Sequence, residues 1–345
     1  MNQNKTILVT GGTGYIGSHT AVELLNQGFN VSIIDNLSNS RREVVDAIAG
    51  ITGVKPLFAC IDLNDKAATL EFLSANPVDA IIHFAAFKAV GESVEKPLAY
   101  YRNNLVSLIN LLEISGELNI GSFVFSSSCS VYGDPDQLPI SESAPLKPAR
   151  SPYANTKKIG EDIIRDTAHC GKLRAIALRY FNPVGAHPSH LIGENPAGGP
   201  LNLFPVITQT AAGLRRKMQV FGTDYATGDG SAVRDYIHVV DVAGAHVAAL
   251  KRLLNEHAEK PYEVFNIGTG SGLSVLEVIK AFEETTGITL PYECVGRREG
   301  DVEQVFADTA LAETELGWKA VHGLKEMITS AWAWEQILKQ KNQAV

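Results

Sequence analysis

Ile7-Leu8-Val9-Thr10-Gly11-Gly12-Thr13-Gly14-Tyr15-Ile16-Gly17 decides how this chain folds. The first four residues make a short apolar strand, glycines follow at once, and an amphipathic stretch from about Ser18 runs to Gln27 and stops at Gly28. That pattern predicts a helix, and Val31-Ser32-Ile33-Ile34-Asp35 predicts the next strand. Strand, glycine-rich turn, helix and strand in this order are the setting in which such a loop binds a dinucleotide. Gly11, Gly14 and Gly17 let the main chain come close to a pyrophosphate, which sits on the N–H groups at the helix start. Glycines alone would signal only a flexible turn; the flanking elements supply the functional reading. No Gly-Lys-Ser/Thr follows, so this is not a Walker loop. Asp35 ends the second strand, where a carboxylate grips the adenosine ribose hydroxyls and repels a 2′-phosphate, which favours NAD over NADP. Arg41 and Arg42 come several residues later and are expected to face solvent or the adenine edge.

Working outward, further strand-like runs occupy residues 55–59, 80–84, 122–126 and 174–180, with helical stretches around 97–117 and 153–169. Alternating strands and helices predict an α/β fold built on a doubly wound parallel (Rossmann) sheet. Asp62, Leu63, Phe84, Ala85, Ala86, Lys88, Asn103 and Ser128 all fall just past strand ends or at a helix start, where the ligand crevice of such a sheet lies. Turn formers from Asn182 to Pro188 and at 198–200 mark the passage to a smaller region.

The 345 residues carry a formal charge of −8, which leaves no basic footprint for nucleic acid and no membrane-surface patch. The doublets Arg41-Arg42, Arg215-Arg216 and Arg297-Arg298 are far apart in sequence. No run approaches the length of a transmembrane span, and Met1 to Thr6 leads straight into a strand with no signal peptide. Cys60, Cys129, Cys170 and Cys294 are widely spaced, and no metal-binding spacing is present. A cytoplasmic protein without metal is expected.

Ser151-Pro152-Tyr153-Ala154-Asn155-Thr156-Lys157 is a helix start: Ser151 can cap and Pro152 suits the first helical position. Tyr153 and Lys157, four apart, share a face, so the Lys157 ammonium is expected to sit near the Tyr153 hydroxyl and lower its pKa. The helix dipole pushes the same way. A Tyr-x-x-x-Lys spacing by itself is common; its weight comes from the glycine loop upstream and from Ser128, just past a strand and in reach of a substrate hydroxyl.

With these pieces assembled, the chain resembles the UDP-glucose 4-epimerase family of extended short-chain dehydrogenase/reductases. The resemblance runs from Thr6 to about Trp334 and is carried most specifically by residues 11–19, 82–97, 180–188, 233–242 and 297–301. It implies NAD as cofactor, with Gly14, Tyr15 and Ile16 at the pyrophosphate, Asp35 and Asn36 at the adenosine ribose, and Asp62 and Leu63 near the adenine. Residues 84–88 and Asn103 would line the cofactor's middle, and Tyr180 and Phe181 would flank the nicotinamide. Ser128 and Tyr153 would hold the sugar's 4-hydroxyl, with Lys157 on the nicotinamide ribose. Lys88, Asn182, Asn202, Leu203, Gln219, Val220, Phe221, Arg234 and the stretch from Arg298 to Asp301 would bind the UDP-sugar. A diphosphate suits arginine forks, and Arg234 and Arg298 supply them from separate segments; the bland reading of Arg234 is a salt bridge to Asp235. The resemblance also implies a homodimer through the helices near 97–117 and 153–169. It implies a nucleotide domain of residues 1–182, to which 236–267 return. A smaller mixed α/β substrate lobe would hold 183–235 and 268–345.

Two positions depart from the family pattern. Ala86 stands where a glycine is expected, adding a methyl that could shift Phe87. Val305 occupies a gatekeeper position beside the sugar's 2-substituent; being smaller than tyrosine, it is expected to admit N-acetylated UDP-sugars. A 4,6-dehydratase would carry an Asp-Glu pair after the serine, where this chain has Cys129 and Ser130. A decarboxylase or a uronate epimerase remains open at this stage, and a dinucleotide-sensing scaffold would have little need of the Tyr153–Lys157 pair. His187, His238 and Trp318 are expected to be structural.

Overall fold

The fold was analysed in a computed structural model that describes residues 5–171, 173–196, 199, 202–298 and 301–343. Seven strands form one sheet: β1 (Thr6–Thr10), β2 (Asn30–Ile34), β3 (Leu57–Ala59), β4 (Ala80–His83), β5 (Ser122–Ser126), β6 (Arg174–Tyr180) and, much later, β10 (Tyr262–Ile267). The order is β3-β2-β1-β4-β5-β6-β10 and every pairing is parallel. The expected doubly wound sheet is therefore present, with the order reversing between β1 and β4, the point where such sheets bind ligands.

Both faces of this sheet are covered, which is why its strands are apolar without alternation. Ile7 and Val9 point into one core with α1 (Tyr15–Asn26), α2 (Glu43–Thr52) and α9 (Val239–Leu254). Leu8 points into the other, beneath α3 (Lys66–Ala75), α6 (Ser107–Glu117) and α7 (Pro152–Cys170). Register aligns the strand ends: Thr10 pairs with Ile34 and His83, and His83 with Phe125. Gly11, Asp35, Phe84 and the Ser126–Ser128 turn consequently emerge along one edge.

The expected helix over 97–117 is interrupted. α4 (Val90–Glu95) and α5 (Pro97–Tyr101) lead into a single π-type turn, Arg102–Val106, before α6. α1 begins at Tyr15, earlier than the expected Ser18, because the first turn uses the glycine loop itself.

A second lobe is built on β7 (Asn182–Val184), β8 (Met218–Phe221), β9 (Val233–His238), β11 (Gly272–Ser274), β12 (Tyr292–Val295) and β13 (Gln304–Val305). Residues 236–238 belong to β9, which pairs with β7, β11 and β13; α9 and β10 are the parts that return to the large sheet. α8 (Leu203–Ala211), α10 (Val275–Thr286) and α12 (Leu324–Gln343) enclose this lobe's core, and α11 (Ala310–Glu315) packs against β10.

Two glycines fix the edge. Gly11 has φ +68°, and a Cβ there would stand 2.8 Å from the Ala85 nitrogen, so the turns after β1 and β4 touch only because Gly11 has no side chain. A Cβ on Gly17 would lie 2.3 Å from the Gly11 carbonyl oxygen. Gly17→Ala is expected to cost about 2 kcal/mol of stability by overpacking this turn. Gly116→Ala, with nothing within 4 Å of the added methyl, should be neutral or stabilising. Equal urea midpoints for the two variants would contradict this packing account.

Candidate active site

The helix behind the glycine loop offers its amides to an anion. α3, α7 and α10 are capped by Asp65, Ser151 and Ser274, whereas the N-cap of α1, Gly14, supplies no side-chain bond. First-turn N–H groups left without a side-chain cap at the positive end of a helix are what a pyrophosphate requires. Tyr15 turns its ring away to donate its hydroxyl to the Gly185 carbonyl at 2.6 Å, so its main chain is the part free to meet a phosphate. Asp35 is anchored to the same loop, accepting from the Thr13 N–H at 3.2 Å, the Leu37 N–H at 2.9 Å and the Ser40 hydroxyl at 3.0 Å. These features fit NAD. Arg41 and Arg42 are exposed, and Arg42 lies over the Phe58 ring.

Asn36 donates to Asp62 at 3.2 Å, and Asn64 links Asp62 to Asn103. Burial raises the Asp62 carboxyl, but the bonds from Asn64 and Asn36 outweigh it and hold it below the usual value. Leu63 is buried in the core, its carbonyl taken by Asn110 at 2.8 Å.

The turn after β4 is held by a residue the sequence reading missed. Asn104, buried in the π-type turn, accepts from the Phe87 N–H at 2.8 Å and donates to the Phe87 carbonyl at 3.0 Å and to Thr156 of α7 at 3.0 Å. Extra-residue turns of this kind recur at functional sites because they re-aim side chains. Here the turn clamps Phe87 on both main-chain groups, and the methyl of Ala86 does not free it. Phe84 packs on His246 with ring centroids 4.5 Å apart. Lys88 pairs with Glu194 at 3.2 Å.

Ser151 caps α7 by accepting from the Ala154 N–H, and Pro152 occupies its first turn, as expected. Tyr153, Lys157 and Ser128 are 8%, 4% and 8% exposed. Ser128 lies close enough to Tyr153 to oppose the rise in its pKa, and its hydroxyl accepts from Ser130. The expected lowering of the Tyr153 pKa needs correction. Its ammonium donates to the Ser126 carbonyl at 2.6 Å and lies over the Phe125 ring. Tyr153 is pushed well above its ordinary value, first by burial and then by the neighbouring Tyr180 phenol, with Ser128 opposing. Loss of water is the largest of these causes. Burial also lowers Lys157, to about 8, with Glu161 opposing.

Ser126 is a hub: its carbonyl takes Lys157 and its hydroxyl meets the Tyr180 hydroxyl at 2.6 Å. Behind it, the buried Glu161 receives Ser127 at 2.5 Å and Arg179 in bidentate fashion, and Arg179 continues to Tyr132 at 3.0 Å. Charged pairs this deep are costly to break, which fixes the turn carrying Ser128. Phe181 is buried beside Val305, Val131 and Tyr132.

Across the crevice stand the second-lobe residues. Asn182 heads β7, and Asn202 precedes Leu203 at the start of α8 and donates to Glu194 at 2.6 Å. In β8, Val220 is fully buried in the lobe's core, Gln219 is exposed and Phe221 lies under Arg298, 5.3 Å from its ring centroid. Arg234 and Arg298 converge on Asp301, Arg298 at 3.1 Å and Arg234 at 3.8 Å. Arg234 does not pair with Asp235, whose carboxylate accepts instead from Thr269, Gly270 and Ala307. Glu299 and Gly300 lie outside the described residues. Val305 is adjacent to Arg234 in the β13–β9 pairing. Two cations beside a half-buried aromatic ring fit a nucleoside diphosphate. Burial pushes the Cys129 thiol up to about 12, so it is no substitute for a dehydratase carboxylate. Trp318 donates to the Asp241 carbonyl at 3.1 Å, and His238 meets Ser330 at 3.1 Å, both in structural contacts.

Among the described residues, no helix is long and apolar enough to cross a membrane and no group of His, Cys, Asp or Glu is arranged to hold a metal. The chain is 50% identical over 330 residues to the UDP-glucose 4-epimerase of Bacillus subtilis, covering 95% of this chain and 96% of that one. It is 48% identical to UDP-glucose 4-epimerase 2 of Arabidopsis thaliana, covering 96% and 95%. Among solved structures, a UDP-glucose-4-epimerase from Stenotrophomonas maltophila with bound NAD and formylated UDP-arabinopyranose superimposes with a TM-score of 0.95 at 47% identity, covering 98% of this chain and all of that one. The Bifidobacterium longum UDP-glucose 4-epimerase in complex with NAD+ and UDP gives 0.92 at 45% identity, covering 96% and 98%. The pattern of the NAD dependent epimerase/dehydratase family matches residues 7–268, and with the glycine loop, Asp35 and the Tyr153–Lys157 face in place, the chain belongs to that family.

Proposed function

We propose that this chain interconverts UDP-galactose and UDP-glucose by transient oxidation at the sugar's C4, with NAD that stays bound throughout. The observation that carries the reading is the meeting of Ser128, Tyr153 and Lys157 at the sheet edge, beside the glycine loop and opposite two arginines from separate segments. Bound NAD supplies the hydride acceptor and, once reduced, the donor. Gly14, Tyr15 and Ile16 hold its pyrophosphate, Asp35 and Asn36 its adenosine ribose, and Lys157 its nicotinamide ribose.

Tyr153 takes the proton from the 4-hydroxyl and returns it after the sugar has turned. Ser128, close to Tyr153, holds the same oxygen and passes the proton. Tyr153 starts with a raised pKa, so it works as a base only when positive charge gathers beside it. Lys157 supplies part of that charge and must be protonated to do so. Arg234 and Arg298 release Asp301 for the diphosphate, while few fixed contacts hold the hexose, so the 4-keto sugar can rotate while UDP stays anchored. Holding base, cofactor and substrate in one site supplies much of the rate.

Val305, smaller than the tyrosine this position can carry, leaves space for a 2-acetamido group, so UDP-N-acetylglucosamine and UDP-N-acetylgalactosamine are substrates too. We also infer that the chain works in the cytoplasm as a homodimer. Leu98, Val94 and Val90 are 78%, 61% and 54% exposed along α4 and α5, an apolar strip that a second copy would cover.

Purified protein without added cofactor should convert UDP-galactose to UDP-glucose with no net NADH, and should act on both N-acetyl sugars. Val305→Tyr should suppress the N-acetyl reaction selectively. No conversion even after adding NAD sinks the epimerase reading, and no N-acetyl turnover by the unmodified protein sinks the gatekeeper reading. Tyr153→Phe should lower kcat by about 10³ or more, the range set by a positioned proton-transfer group.

Lys157→Met separates catalysis from stability. The native value of about 8 lies below the ordinary 10.5, so between them the unfolded chain binds more protons and stability rises with pH. Burial of this ammonium therefore costs stability at neutral pH. The variant should lose at least about 10² in kcat and melt no lower than the unmodified protein at pH 7; a clear fall in Tm contradicts the account. Leu98→Asp should halve the mass measured by light scattering, and an unchanged mass refutes the proposed interface.

A further inference from the structure

Glu194 stands where the cofactor side and the substrate side of the crevice meet. Its main chain is fixed from several directions. Its carbonyl accepts from the Trp334 indole N–H at 3.0 Å. Gly193 fits under that indole so closely that a Cβ would lie 2.6 Å from it. Gly193 also bridges to Ala186, and the His187 N–H donates to the Ile192 carbonyl at 3.1 Å. From this fixed base the carboxylate, 9% exposed, takes the Lys88 ammonium at 3.2 Å and the Asn202 amide at 2.6 Å on the same oxygen, Oε1.

Lys88 belongs to the turn after β4 and its side chain is 49% exposed; Asn202 precedes α8 in the other lobe. With its lysine half in solvent, the Lys88–Glu194 pair adds little to folding stability. What it does restrict is the lysine side chain, whose rotamer freedom is large and costly to quench on binding. We propose that Glu194 is a positioning residue: one buried carboxylate holds the Lys88 ammonium and the Asn202 amide at a set separation, so that both meet a UDP-sugar without first being ordered. The proposal rests on the assignment of Lys88 and Asn202 to the UDP-sugar in the function proposed above. Glu194 itself touches neither cofactor nor sugar; it acts through its two partners.

The test is Glu194→Gln in the full protein with its bound cofactor. KM for UDP-galactose should rise about tenfold with kcat within about twofold, as expected when a charge-assisted contact that orders a binding group is weakened. Tm should stay unchanged. In a double-mutant cycle, Glu194→Gln should raise KM less in the Lys88→Met background than in the unmodified protein, because part of its effect passes through the held ammonium and only the part through Asn202 is left. A KM that stays constant or falls, a loss confined to kcat, or effects of the two substitutions that multiply overturns the proposal. If the unmodified protein does not turn over UDP-galactose, the functional reading fails separately. The same cycle is then read from UDP affinity by calorimetry, with an unchanged affinity counting against Glu194.

Discussion

A buried lysine bonded to a carbonyl, not to a carboxylate, is the constraint on which this site depends. Lys157 enters from α7, crosses to the end of β5 and donates a hydrogen bond to the Ser126 carbonyl at 2.6 Å over the Phe125 ring. That contact fixes the rotation of α7 about its axis and therefore where Tyr153, one turn earlier, faces. It also fixes the end of β5, and with it Ser128. The opposite charge that would satisfy the ammonium most simply, Glu161, is one turn further along and is already occupied by Arg179 and Ser127. The lysine is thereby kept cationic at neutral pH yet not neutralised. A cation of this kind is expensive for folding and useful for catalysis, a trade often met where function and stability compete.

The rest of the molecule divides the labour of gripping the ligand. In the proposed function the nucleotide ends would be met by fixed parts: a turn whose glycines leave no spare space, a carboxylate tied to that turn, and arginines converging on Asp301. The hexose, in the same proposal, would be met by only a few side chains around Ser128, Tyr153 and Val305. Tight contacts at the UDP with sparse ones at the sugar are what a reaction requires when its intermediate must show two faces to the same cofactor.

Much of this was legible in sequence where local pattern and chemistry coincide. The strand–glycine–helix pattern led to the sheet and its ligand edge, and Ser151-Pro152 placed the start of α7 to the residue. What escaped depends on distant partners or on burial. The π-type turn at Arg102–Val106 has no signature in helical periodicity, so Asn104 looked like one more polar residue on a helix. Glu161 with Arg179, and Glu194 with Lys88 and Asn202, are joined only by the tertiary fold. The four-residue spacing of Tyr153 and Lys157 correctly predicted a shared face, but the direction of the Tyr153 shift is set by desolvation, which spacing does not reveal. The alternation along β8 turns the Val220 side chain into the core, which leaves its main chain as the part of that residue able to meet a ligand.

The central claim, that hydride leaves C4 and returns to the same sugar within one closed site, is tested most directly with UDP-galactose deuterated at C4. Mixed with unlabelled UDP-galactose bearing a distinct isotope in its uracil, it should give UDP-glucose whose deuterium remains at C4 of the molecules that began with it. Neither label wash-out to solvent nor transfer between the two populations should appear by mass spectrometry. Deuterium lost to water would contradict oxidation by hydride transfer, and scrambling between populations would contradict a sugar and cofactor that stay together through the cycle.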